Sequence, residues 1–289
     1  MPNLPTAATV GAITRDDIAA LHKSLYRRPN LILAASGNFS QDSMIERLQH
    51  LVPGGTGAAP ATRFPAVACR SDQLLLLVPK AISQAYVRMS LPMFQRPHPD
   101  YYACSVLDYI LGGGAFSSRL NASVRSDAGL TYDIHSEVVS SYTYPGTFYV
   151  HFFTKTESTI DAMRLVLAEL AKVRESGVTG QEVESAKKVL IDGLPSMFRT
   201  KEDIVENYSW NEYFGRSINH YRDYPDSVRA ITPDAVLAMA RKYLVPESLT
   251  YIVVADTAAL FAADTSAAFR LRSLAPSRIV PPDSLPLLP

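Results

Sequence analysis

LGGGAFSSRLNASVRSDAGLTYDIH, residues 111–135, is the stretch on which the reading of this chain turns. Three consecutive glycines, Gly112, Gly113 and Gly114, end one apolar helical run and open the next. Glycine admits positive φ and lets backbones approach closely, which other residues resist. From Ala115 the pattern turns helical: Phe116, Leu120 and Val124 recur at four-residue spacing. That helix is expected to run out near Arg125, with a turn from Ser126 to Gly129 and a strand from Leu130 to Ile134. Arg125 at a helix end and Tyr132 at a strand start are then placed to point into one groove.

Outward from this centre the chain reads as alternating strands and helices. Strands are expected at 73–78 and 84–91, then a helix from Asp100 to Ile110. After the centre come strands near 130–139 and 146–154, parted by a corner at Tyr144 to Gly146. Helices follow at 157–175, 180–193, 201–214 and 233–243, with Gly177 as a C-cap, Thr179 as an N-cap and Pro195 as a breaker. A strand from Leu249 to Ala255 closes this block. Towards the N-terminus, 14–26 reads as a helix capped by Thr14, followed by Pro29, the strand LILAAS (31–36) and a helix from Ser40 to Leu51. Glycine and proline mark 53–66 as a linker, and the proline-rich tail, 263–289, reads as irregular.

One internal repeat stands out. ITRDDIAALHKSLYRRPNLILAASGN (13–38) echoes ITPDAVLAMARKYLVPESLTYIVVAD (231–256). A one-residue slip aligns Tyr26 with Tyr243 and Pro29 with Pro246. The second copy ends a block of full length and the first has almost nothing before it. The expectation is one complete domain, 67–262, preceded by the closing helix–strand–helix of an earlier duplicate at 1–52.

Composition removes several classes. The chain has 28 basic and 28 acidic residues and a formal net charge of zero, so it lacks the basic excess of a nucleic-acid surface. Its apolar runs, Leu74 to Val78 among them, are far below the ~18 residues of a membrane span. Met1 to Ala12 lacks the basic start and apolar core of a signal peptide. Cys69 and Cys104 offer neither a disulfide framework nor zinc spacing and read as small buried hydrophobes. The six histidines form neither HExxH nor HxxEH. His135 and Glu137 share a strand face, but two candidates fall short of a zinc site. There is no GxSxG elbow, and the glycine triplet lacks the Lys-Ser/Thr of a phosphate loop. No metal ligand and no cofactor-binding residue is therefore assigned.

Arg125 and Tyr132 remain. Read plainly, Arg125 complements a helix C-terminus and Tyr132 fills a strand face. Read for chemistry, the guanidinium forks onto carbonyl or carboxylate oxygens and the phenol donates to a developing oxyanion. Together they can hold a peptide and stabilise its tetrahedral intermediate. They cannot generate a nucleophile.

At LGGGAFSSRLNASVRSDAGLTYDIHS (111–136), TGQEVESAKKVLIDGLPSMFRT (179–200) and NEYFGRSINHYRDYPDSVRAITPDAVLAMARKYL (211–244), the sequence resembles the pitrilysin–insulysin family of zinc peptidases. That family includes the two-domain subunits of mitochondrial processing peptidase. The likeness covers about residues 13–260. It implies an α+β fold, an antiparallel sheet covered on one face by helices, preceded here by a partial copy. In that family HxxEH sits in the first domain of an active unit, and an Arg with a Tyr seven residues later faces its zinc. Arg125 and Tyr132 stand at that spacing, so the resemblance implies roles in substrate binding and transition-state stabilisation for both. It also implies that zinc belongs to a missing domain or partner subunit, that the partners are an HxxEH-bearing zinc domain and an extended peptide, and that the protein forms homo- or hetero-oligomers. The alternative it leaves open is a non-catalytic scaffold of the same fold. Bacterial relatives are often exported, so a periplasmic origin is an expectation of the family and not of these residues.

Overall fold

The computed structural model describes residues 5–51, 66, 67, 69, 72–265, 270–274 and 276–281; the linker expected at 53–66 lies outside them but for its last residue. The chain divides into two compact units, one drawn from 5–51 with 193–222, the other from 66–192 with 223–281.

The N-terminal segment holds α1 (Ala7–Gly11), α2 (Arg15–Leu25) and α3 (Gln41–Leu51). Thr14 caps α2 reciprocally: its hydroxyl accepts from the Asp17 N–H at 3.2 Å, and the Asp17 carboxylate accepts from the Thr14 N–H at 2.9 Å. The strand expected at 31–36 is absent: LILAAS joins no ladder among the described residues. An extended segment becomes a strand only when neighbours take its backbone groups. No residue of α2 or α3 is buried, and Ile18, Leu21, Leu33 and Ile45 are exposed. Their apolar stripe has the pattern of a core face without the core.

The second unit begins with β1 (Leu74–Pro79), β2 (Gln84–Pro92) and α4 (Tyr101–Asp108), which continues as a π turn, Tyr109–Gly113. After the central stretch come β3 (Ile134–Val139), β4 (Thr147–Lys155), α5 (Thr159–Ser176) and α6 (Gly180–Gly193). Pro195 ends α6 in a 3-10 turn, Leu194–Phe198, as expected. Helix α7 (Lys201–Tyr213) belongs to the first unit. Helix α8 (His220–Arg229) has no counterpart in the sequence reading, since Pro225 lies inside it and masks its period. Helix α9 (Pro233–Tyr243), β5 (Thr250–Ala255), α10 (Thr257–Ala263), α11 (Leu271–Leu274) and β6 (Ser277–Ile279) complete the order.

One six-stranded sheet runs β3-β4-β2-β5-β1-β6. Pairing is antiparallel from β3 to β5, and parallel where β1 meets β5 and β6. The fold is therefore α+β, with a mixed sheet. Strand β6 corrects the irregular tail: Ser277–Ile279 pair with Leu75–Leu77 and extend the sheet.

Alternation fixes which face is covered. Ala85, Val87, Met89 and Leu91 of β2 are buried, as are Phe148, Val150 and Phe152 of β4 and Tyr251 and Val253 of β5. They share a core with Met163, Val166 and Leu170 of α5 and with Val236 and Ala240 of α9. Each fully buried side chain of this kind stabilises the fold by about 1.5–3 kcal/mol. The opposite face carries Tyr86, Arg88, His135, Tyr149, His151 and Phe153, with the Arg88 guanidinium 3.6 Å above the Tyr149 ring.

The repeat is visible in the caps. Thr232 caps α9 as Thr14 caps α2, both helices have 11 residues, and 3-10 turns follow at Arg28–Asn30 and Pro246–Ser248. These landmarks align without a slip. Tyr26 matches Leu244, not Tyr243, and Leu31 matches Leu249, each ending its 3-10 turn.

The glycine triplet works by proximity. A Cβ on Gly112 would stand 2.4 Å from the Ser136 nitrogen and 2.8 Å from its Cβ, so the helical corner lies directly on β3. The Ser136 hydroxyl in turn donates to the Asp108 carboxylate at 2.6 Å, and burial pushes that carboxyl up to about 6. None of the three glycines takes a positive φ, contrary to the other half of the expectation; Ala115 does, at 46°. The helix expected from Ala115 is a 3-10 turn, Ala115–Ser117, and then a helical segment that ends in π geometry at Asn121–Asp127. Leu120 and Val124 are in the core, but Phe116 is 75% exposed. The segment is pinned at two places. Arg119 donates both Nε and Nη2 to the Glu182 carboxylate at 2.7 and 2.8 Å. Asn121 donates to the Ile134 carbonyl at 2.9 Å. Thr179 and Glu182 also close a capping box, so the same carboxylate caps α6. Of the cysteines, Cys104 is buried as expected, with its thiol pushed up to about 12 by desolvation; Cys69 is exposed.

Two outcomes follow from this packing. Gly112→Ala is expected to cost about 3 kcal/mol in chemical denaturation, the upper range for overpacking against backbone. Gly113→Ala should cost less, because its Cβ would meet the Asp108 carboxylate oxygen at 3.0 Å and the Asp108 carbonyl at 3.3 Å, looser than any of the three approaches at Gly112. Equal losses would remove Ser136 as the reason. The second outcome concerns acid. The Arg119 bond holds the Glu182 carboxyl at about 2, below its ordinary 4.5. A depressed folded pKa gives stability that is present above the unfolded value and lost as pH falls towards the folded one. The melting-temperature gap between wild type and Glu182→Gln should therefore narrow from about pH 5 to about pH 2. A gap that stays constant would show that the pair does not form.

Candidate functional site

Arg125 and Tyr132 line the same open groove of ≈ 440 Å³, together with Gln84, Thr131, Lys155 and Ser158. Arg125 is half-buried near the end of the π-helical segment, and its guanidinium sits 4.4 Å from the centre of the Phe116 ring. The exposed Phe116 is thus a platform for the arginine, a cation–π arrangement that limits its rotamers while leaving its donors outward. Gly129, at φ 63°, makes the turn that brings the chain back. Its N–H donates to the Arg125 carbonyl at 3.2 Å, and the Leu130 N–H to the Val124 carbonyl at 3.0 Å.

Tyr132 does not start a strand. β3 begins at Ile134, four residues later than the expected Leu130. Side chains account for the difference. The Thr154 hydroxyl donates to the Leu130 carbonyl at 2.6 Å, and the Thr131 hydroxyl lies 2.5 Å from the Phe153 carbonyl. Two hydroxyls thus occupy the backbone acceptors that a ladder would use, and 130–133 runs beside β4 as a tethered loop. Thr131 is buried while the next residue, Tyr132, is 89% exposed. The phenol is presented to solvent from a segment anchored on both sides.

Beyond this groove, the uncovered sheet face gathers residues that sequence reading left apart. Glu137 accepts a hydrogen bond from the Tyr149 hydroxyl across the β3–β4 ladder, a bond that pushes the phenol upward. His135 and His151 face each other on the next rung, near Asp133. Burial first, then the neighbouring His135, lowers the affinity of His151 for a proton. His135 and Glu137 were visible as a same-face pair in the sequence. His151 enters only through the register of β4, which the sequence does not print.

The chain is similar to known proteins in sequence and in fold. The chain is 29% identical over 193 residues to an uncharacterized zinc protease of Streptomyces coelicolor, covering 64% of this chain and 41% of that protein. It is 24% identical over 235 residues to a non-peptidase homolog of Helicobacter pylori, covering 79% and 52%. The chain thus spans about half, or less, of the length of these relatives. Among solved structures, the peptidase M16 inactive domain from Pseudomonas fluorescens superposes with a TM-score of 0.76 at 24% identity, over 86% of this chain and 59% of that one. A chain of complex III2 from Candida albicans superposes with a TM-score of 0.75 at 18% identity, over 90% and 63%. At these identities the structures speak for the fold alone. The model of the peptidase M16 inactive domain matches residues 12–190, more than half the sequence, and the chain belongs to that family.

Proposed function

We propose that this chain is the substrate-side domain of a zinc metallopeptidase of the pitrilysin type, without hydrolytic activity of its own. The observation that carries the reading is the shared groove of Arg125 and Tyr132, with the phenol exposed on a tethered loop. In this reading Arg125 forks onto a carbonyl or carboxylate oxygen of the peptide and sets its position. The Tyr132 hydroxyl donates to the oxyanion as the tetrahedral intermediate forms. The hydrolytic metal would supply an activated water; in this reading an HxxEH motif of another domain or subunit holds it, since the present sequence has none. Residues 67–262 are the contributing domain, and 1–52 close a preceding copy. Association with an HxxEH-bearing domain is therefore part of the proposal.

A second reading, a non-catalytic scaffold of the same fold, is favoured by the likeness to a relative described as a non-peptidase homolog. Peptide cleavage separates the two. A quenched fluorescent peptide is incubated with zinc and this chain, alone and mixed with an HxxEH-bearing subunit. The expected result is cleavage only in the mixture, with kcat lowered about 10²–10³-fold by Tyr132→Phe and KM little changed. An unchanged kcat would exclude the oxyanion role, and a demonstrated complex with no cleavage would establish the scaffold.

A further inference from the structure

The uncovered face of the sheet carries a second arrangement of reactive groups, independent of Arg125 and Tyr132. His135 and His151 are direct partners in the β3–β4 ladder. Opposed residues of an antiparallel pair hold their Cβ atoms about 4.5–5.5 Å apart on one face. Asp133, the last residue of the tethered loop, precedes His135 by two positions and brings its carboxylate to the same pair of rings. The two imidazole centroids are 3.8 Å apart and the rings are inclined by 65°. Asp133 places Oδ1 4.0 Å from His135 Nδ1, and Oδ2 3.7 Å from His151 Nε2. Both separations exceed a hydrogen bond. One ligand atom from each of the three residues lies within 4.8 Å of the other two.

We propose that Asp133, His135 and His151 form a binding site for a borderline divalent transition-metal ion, with Zn²⁺ as the type case, which clamps β3 to β4. Two imidazoles and one carboxylate are the donor set that such ions favour, with a fourth position left to water. Donor atoms around tetrahedral zinc stand about 3.3 Å apart, given bonds of about 2.0–2.1 Å. The present spacing is slightly wider, and the group that must move is the most exposed. Asp133 has 60% of its side chain in solvent, whereas His151 has 26%. His151 is held more firmly, with Phe153 edge-on at 5.7 Å and Tyr149 stacked at 5.9 Å. Ligation of Asp133 also fixes the end of the loop that presents Tyr132. Arg88, opposite His151 on β2, is the one opposing charge from the neighbouring strand. It sits over the Tyr149 ring, so the site gains a cation against a nearby positive charge and binds with moderate affinity.

Calorimetric titration of the whole 289-residue chain with Zn²⁺, Ni²⁺ and Mg²⁺ tests the site. One Zn²⁺ per chain is expected, weakened at least tenfold by Asp133→Asn, His135→Ala or His151→Gln, and unaffected by His50→Gln. Mg²⁺ should not compete, since it prefers an all-oxygen shell. Arg88→Gln should tighten binding several-fold. Asp133→Asn alters an exposed side chain, so its metal-free melting temperature should match wild type and keep the test independent of folding. Hydrogen exchange at 130–133 should slow on adding Zn²⁺ in wild type and not in Asp133→Asn. Zn²⁺ uptake equal in all three cluster variants, equal competition by Mg²⁺, or no saturable uptake would each overturn the proposal.

Discussion

The contact between Gly112 and Ser136 sets the geometry from which the rest of the site follows. No side chain fits between the helical corner and β3 at this point, so α4 is joined to the sheet backbone to backbone. The depth of that corner fixes where the following helical segment begins. Asn121 then reaches the Ile134 carbonyl, Arg119 reaches Glu182, and Leu120 and Val124 enter the core. Arg125 emerges at the end of a segment that is already immobilised. A corner one methyl group further out would shift every one of these partners, which is how a residue without a side chain comes to govern one with five N–H donors.

Much of this was legible in the sequence, and the exceptions share a cause. Period-two burial made β2, β4 and β5 plain, and Thr14, Gly177 and Pro195 punctuated their helices as their chemistry requires. Leu130 failed as a strand start because Thr131 and Thr154 use side-chain hydroxyls where a ladder would use amides. Phe116 matched a core spacing, yet the segment changed its helical pitch and left the ring outside under Arg125. The stretch 31–36 has strand composition but no neighbours to pair with among the described residues. Composition reports what a segment can do, and partners decide what it does. The His135–His151 rung is the same lesson in reverse, since its members are sixteen positions apart and only register brings them together.

The sheet has two unlike faces, and that division organises function. The helix-covered face is apolar and closed. The other presents Arg88 on Tyr149, Tyr149 on Glu137, and the two histidines, a polar and aromatic surface tied together by side-chain contacts across β2, β3 and β4. The arginine–tyrosine groove opens beside the β4 end of the same sheet, where Phe153, Thr154 and Lys155 contribute to its wall. A family fold thus retains a built surface on the side that its own helices leave free.

The strand order carries a consequence for synthesis. Strand β5 lies between β2 and β1, and Leu74 finds its partner in Thr250. On the ribosome β1 emerges before the other strands and waits, with an apolar edge, through the translation of nine further helices and strands. The antiparallel trio of β2, β3 and β4 can pair as soon as it is made, but the sheet closes only after Ala255 has left the exit tunnel. Closure over so long a separation is slow, and the interval exposes Leu75 and Leu77 to other nascent chains. The order of the strands therefore holds back the assembly of this sheet until β5 is made, and makes β1 the strand most in need of a chaperone.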